Sequence, residues 1–151
     1  MGQPAAKQEF VTVRIAKQLM GIAVLDVQDV LSAQKITPVP LAPDWIAGVL
    51  NLRGRIVTAI DLRRRLGLPC GTPVSELMSV VVECKGEPYS LVIEEIGDVI
   101  SVEQDQFDQN PVTLSPQWSA VSQGVYRLDN ELMTVLDVEQ IFVSDVHSRV
   151  A

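Results

Sequence analysis

Short apolar runs broken by glycine, proline or charge make up most of the chain. Val11, Val13 and Ile15 alternate with Thr12 and Arg14, and comparable β-rich stretches fall at residues 10–15, 56–60, 79–84 and 132–136. Alternation with a period of two, carried by β-branched residues, predicts half-buried strands. No segment holds a helical apolar period beyond about two turns. The pattern therefore predicts a mostly β protein with short helices.

The pattern also occurs twice. Residues 48–62, GVLNLRGRIVTAIDL, align without gaps on residues 124–138, GVYRLDNELMTVLDV, at an offset of 76. Residues 21–32, GIAVLDVQDVLS, align on residues 90–101, SLVIEEIGDVIS, at an offset of 69, and the strand before each aligns as well. Self-similarity of this kind marks a duplicated structural unit. The first repeat is placed at residues 10–66 and the second at 79–142, with Pro69, Cys70, Gly71, Thr72 and Pro73 as linker. Each repeat offers about five strands and one short helix, too little to cover both faces of an open sheet, so closure into a small barrel is expected. The prediction is two pseudo-symmetric five-stranded barrels, with exchange of elements at their edges left open. Asp61 and Asp137 stand where their carboxylates can cap the helix that ends each repeat.

Charge separates the repeats. The first carries eight lysines and arginines against four aspartates, and the second carries two against twelve aspartates and glutamates. A basic half joined to an acidic half suits polarised protein partners, because complementary fields steer encounter. It does not suit nucleic acid, which the acidic half repels and for which the basic stretch lacks stacking aromatics. Five of the eight arginines lie within residues 48–66. Arg53-Gly54 closes a predicted hairpin where the second repeat uses Asp129-Asn130. An arginine is not required by such a turn. Arg63, Arg64 and Arg65 follow Asp61, where cations complement the end of a short helix dipole.

Chemistry of other kinds finds little support. The single histidine, His147, lies beyond the second repeat, and Cys84 falls inside an apolar strand where burial makes a thiol inert. Neither Cys70 nor Cys84 belongs to a CxxC or Cys/His cluster, so both are expected as free thiols in a reducing compartment. Dispersed carboxylates and one histidine build no transition-metal site. No apolar run approaches the ~20 residues of a membrane span, and the first ten residues hold no signal-type apolar core. The expectation is a cytoplasmic protein without cofactor.

Residues 48–57, GVLNLRGRIV, followed by Asp61, Leu62 and Arg63, resemble the signature of the CheW-like domain family. Gly21-Ile22, residues 27–30, residues 92–96, residues 124–126 and residues 136–138 fall in family order, so the resemblance spans about residues 9–143 as one domain. It implies a CheW-like fold of two SH3-like barrels. It also implies a non-catalytic adaptor that couples the cytoplasmic tips of chemoreceptors, the methyl-accepting chemotaxis proteins, to the regulatory domain of the histidine kinase CheA. Such an adaptor works in the cytoplasm at membrane-associated receptor arrays, without inserting in the membrane. Carried over by position, the receptor-binding residues are Val27, Asp29, Gly48, Asn51, Arg53 and Gly54, with Asp29 standing where many members carry a glutamate paired to the arginine. Ile36 and Val39, in the nearly uncharged run from Ile36 to Leu41, are the expected kinase-binding residues; their neighbouring prolines place the run at a sheet edge. Alternatives are a coupling module serving a pilus or other motility pathway, a CheV-type module, and a small-ligand barrel. A CheV-type protein would continue into a receiver domain, and the sequence ends at Ala151.

Overall fold

The structure, a computed structural model, describes residues 7–108, 121–128 and 131–141. It is mostly β, with eleven strands among the described residues: β1 (Lys7–Ile15), β2 (Gln18–Ala23), β3 (Val27–Leu31), β4 (Ile46–Leu52), β5 (Arg55–Asp61), β6 (Met78–Cys84), β7 (Glu87–Ile93), β8 (Glu95–Glu103), β9 (Phe107–Asp108), β10 (Ser122–Arg127) and β11 (Leu132–Leu136). One short helix, α1 (Leu62–Leu66), follows β5.

Two sheets result. The first has order β3-β6-β7-β5-β4 and the second β8-β1-β2-β11-β10-β9. Each sheet thus contains three or four strands of one repeat and a hairpin from the other. The β6–β7 hairpin of the second repeat joins β5 through a parallel pairing, Thr58 opposite Tyr89 and Ile60 opposite Leu91. In the equivalent place, the β1–β2 hairpin of the first repeat joins β11 in parallel, Thr134 opposite Met20. The repeats exchange hairpins, and a pseudo-twofold relation survives the exchange. An isolated bridge between Thr37 and Val49 even supplies the first sheet with a counterpart of β9.

Alternation along the strands builds three cores. Val11, Val13, Ile15, Met20 and Ile22 meet Ile60, Leu62, Val80, Val82, Leu91 and Ile93 between the sheets. Each sheet also covers a small core of its own: Leu50, Val57, Ala59, Leu77 and Val92 in the first, and Phe10, Val102, Tyr126, Met133 and Val135 in the second. The repeat alignment matches Leu50 with Tyr126, Val57 with Met133 and Ala59 with Val135. Strands buried on both faces read as continuous apolar runs, as residues 80–82 do.

Gly48 and Gly124 mark the same irregularity in each sheet. Both have φ of 148° and sit where the strand register shifts, at a β-bulge. A Cβ on Gly48 would lie 2.2 Å from the Thr37 carbonyl oxygen, and one on Gly124 would lie 2.4 Å from the Phe107 ring. Only glycine fits either position.

Asp61 caps α1 by accepting from the Arg63 N–H at 3.1 Å, as expected. Asp137 precedes a helical turn at 138–141 and accepts, through its backbone oxygen, from the N–H groups of Gln140 and Ile141. Arg63 is a buried cation rather than a surface one. It is 2% exposed, donates Nε and Nη2 to the two Asp61 oxygens at 3.0 Å each, and donates Nη1 to the Thr72 carbonyl at 2.6 Å. Hydrogen bonding to Asp61 raises its pKa above the ordinary arginine value. Arg65 donates to the Ile141 carbonyl and lies over the Trp45 ring, tying α1 to the end of the second repeat. Cys70 is exposed and Cys84 buried, and both are free. The Asp129-Asn130 turn and His147 lie outside the described residues.

Candidate partner-binding site

The hairpin between β4 and β5 is closed by Arg53 and Gly54, with Leu52 paired to Arg55. Both turn residues have positive φ, 53° and 85°, as a type I′ turn requires. Asn51 supports the turn from within: its Oδ1 accepts from the Gly54 N–H at 3.0 Å. The turn thus raises Arg53 into solvent, leaving its side chain 79% exposed.

Arg53 nonetheless has a partner in the protein. Its Nη2 lies 3.0 Å from Asp29 Oδ2, reaching from the β4–β5 turn to β3. No aligned hydrogen bond reaches that oxygen from the described residues, so the contact is an ion pair held by charge rather than by a directed bond. Asp29 is oriented separately, its Oδ1 accepting from the Val30 N–H at 2.8 Å. The shorter aspartate therefore reaches the arginine.

Beneath this pair lies a cleft of about 130 Å³ lined by Gln28, Asp29, Leu52, Arg53, Arg55, Val57, Val81 and Pro88. Its floor is apolar and its rim charged. Gln28 donates to Glu83 at 2.6 Å on one side. Arg55, exposed, has no ion pair or side-chain hydrogen bond among the described residues.

Asp29, Asn51, Arg53 and Gly54 come together at this turn. Val27 and Gly48 face elsewhere: Val27 is half-buried against the core between the sheets, and Gly48 is packed under Thr37. Ile36 is likewise half-buried, packing on the first sheet's own core. Val39 is 41% exposed. Beside it, the Ala42 N–H bonds the Val39 carbonyl and closes a turn in which Leu41 takes φ of 65°, with its side chain fully exposed. A leucine held in the left-handed region is strained. Residue type and the neighbouring prolines point to Ile36 and Val39 but not to Leu41, whose backbone conformation leaves no trace in the sequence. Among the described residues no cluster of His, Cys, Asp or Glu could hold a metal ion, and no helix is long and apolar enough to cross a membrane.

The family model of the CheW-like domain matches residues 9–146. The chain belongs to the CheW-like domain family. Among its relatives, "Chemotaxis protein CheW" of Klebsiella aerogenes is 30% identical over 142 residues, spanning 91% of this chain and 83% of that protein. "Chemotaxis protein CheW" of Treponema pallidum is 27% identical over 147 residues, spanning 95% and 86%. The crystal structure of the scaffolding protein TtCheW from Thermoanaerobacter tengcongensis superposes with a TM-score of 0.81 at 25% identity, covering 91% of this chain and 93% of that one. The CheW-like fold and the full-length similarity agree with the mostly β, duplicated architecture.

Proposed function

We propose that this protein is a chemotaxis adaptor that couples chemoreceptors to the histidine kinase CheA, acting in the cytoplasm at receptor arrays and performing no catalysis. Full-length similarity to proteins named for chemotaxis supports the pathway. The observation that carries the coupling is that two unlike surfaces are presented by separate parts of the first repeat. One is the Arg53–Asp29 pair over its cleft, assigned to the receptor tip. The other is the apolar turn with Val39 and Leu41 outward, assigned to the CheA regulatory domain.

Arginine suits the first role because its planar fork can hold a carboxylate on one edge and still donate to a partner from the other. At this exposure the pair adds only about 0–1 kcal/mol to folding. Arg53→Ala should therefore leave the melting temperature and CheA affinity nearly unchanged, while kinase activation in a reconstituted mixture with receptor fragment and CheA falls sharply. Activation equal to that of the unaltered protein would defeat the receptor assignment.

A further inference from the structure

The pseudo-twofold relation allows the cleft beneath Arg53 to be compared with its own counterpart. The alignment sets Gln28 on Gly97, Val81 on Thr12, Pro88 on Leu19, Glu83 on Arg14 and Arg55 on Glu131. A cavity of about 210 Å³ does occur there, lined by residues 12–14, Leu19 and residues 95–97. The two sites share a frame but not their charges. At Glu83/Arg14 and at Arg55/Glu131 the sign is reversed.

The reversal has unequal consequences. In the second sheet Arg14 and Glu131 form a bidentate pair, Nη2 to Oε2 at 2.6 Å and Nη1 to Oε1 at 3.3 Å, and the Thr12 hydroxyl donates to the Asp98 carbonyl at 2.7 Å. The Arg14 cation at that cavity is thus already satisfied by a carboxylate of the protein. In the first sheet the equivalent pair, Glu83 with Arg55, does not form: Glu83 accepts from Gln28, and Arg55 stands unpaired among the described residues at the rim of an apolar pocket. Arg53 has one edge of its fork engaged by Asp29. The cation at this rim with no carboxylate of its own among the described residues is Arg55.

Resting on the receptor assignment above, we propose that this cleft receives an apolar side chain of the receptor tip while Arg55 takes an adjacent carboxylate, so the docking segment is an apolar residue flanked by aspartate or glutamate. Leu52, Val57, Val81 and Pro88 supply the apolar contact, and charge complementarity at Arg55 supplies the register. Arg53 holds Asp29 aside from Arg55 with one edge of its fork and keeps the other edge open to the same partner.

The test uses the full chain and a purified cytoplasmic fragment of a chemoreceptor from the same organism. Arg55→Glu should weaken receptor binding by about tenfold or more, because repulsion replaces attraction, whereas Arg55→Lys should stay within about threefold of the parent and CheA affinity should not move. Rising salt should erode the parent's advantage over Arg55→Gln, since the contact sits at an exposed rim. Receptor affinity unchanged in Arg55→Glu but lost in Arg53→Ala overturns the Arg55 proposal and leaves the receptor assignment standing. Unchanged affinity in both overturns both. If Arg55→Glu alters only self-association of the protein, the occupant is a second copy of this chain and the proposal is likewise overturned.

Discussion

Three hairpin turns share one backbone geometry and differ in what it costs. Ala16-Lys17, Arg53-Gly54 and Lys85-Gly86 each place both central residues at positive φ, and only the first lacks a glycine in the second position. Lys17, at φ of 70°, bears strain that Gly54 and Gly86 do not. Lys17→Gly should stabilise the protein by about 0.5–1 kcal/mol, after allowing for the freer unfolded chain, and raise the melting temperature by about 2–4 °C per kcal/mol at this size. A lower melting temperature would show that Lys17 contributes a contact worth more than its strain. Arg63 is a second case where residue type concealed the role. Read in a run of three arginines it looks solvated, because nothing local reveals that the linker passes over it and offers the Thr72 carbonyl. Arg63→Met should cost about 3–5 kcal/mol by leaving the Asp61 carboxylate buried and unpaired, which thermal unfolding would register as a loss of roughly 6–20 °C. Arg64→Met, at a half-exposed position, should cost little.

At the scale of elements, the duplication was legible and the exchange was not, and the reason is symmetry. A β1–β2 hairpin packed on its own repeat and one packed on the other repeat would bury the same faces against equivalent neighbours. Alternation at Val11, Val13 and Ile15 says which side is buried but not which copy covers it. The Arg53-Gly54 turn and its Asp29 partner were accessible from sequence because a turn is local chemistry. The inward placement of Ile36 and Val27 was not, since it depends on strands far along the chain. The exchange makes each repeat incomplete alone. Residues 1–73 as a monomer should show no cooperative unfolding, and mixing with residues 74–151 should restore it, as followed by far-UV circular dichroism; cooperative folding of the first fragment alone would contradict the topology. The exposed turn beyond β3 makes a separate prediction. Val39→Asp should leave the melting temperature within about 2 °C, as expected for a surface change, while weakening CheA binding by about tenfold or more, since a charge would enter an apolar contact. Ile36→Asp should instead unfold or strongly destabilise the protein, because Ile36 belongs in part to the core.

The whole molecule is polarised less than its repeats are. Exchange carries Arg14 and Lys17 into the unit built mainly from the acidic repeat, and Glu83 and Glu87 into the one built mainly from the basic repeat. What remains distinct is the surface around Arg53 and Arg55, whose counterparts in the second repeat are acidic. An adaptor with one kinase-binding and one receptor-binding surface behaves as a bivalent linker, and its bridging obeys mass action. At low concentration every added molecule joins a kinase to a receptor. At high excess, separate molecules fill the two partners and the bridge is lost. The most direct test is to sediment receptor-containing membranes with CheA while titrating this protein, and to measure the kinase carried into the pellet. The account predicts a bell-shaped curve, with its rising limb lowered and shifted to higher concentration by Arg53→Ala and by Val39→Asp. Kinase that never enters the pellet at any concentration, or that enters it equally with both variants, would contradict the adaptor reading.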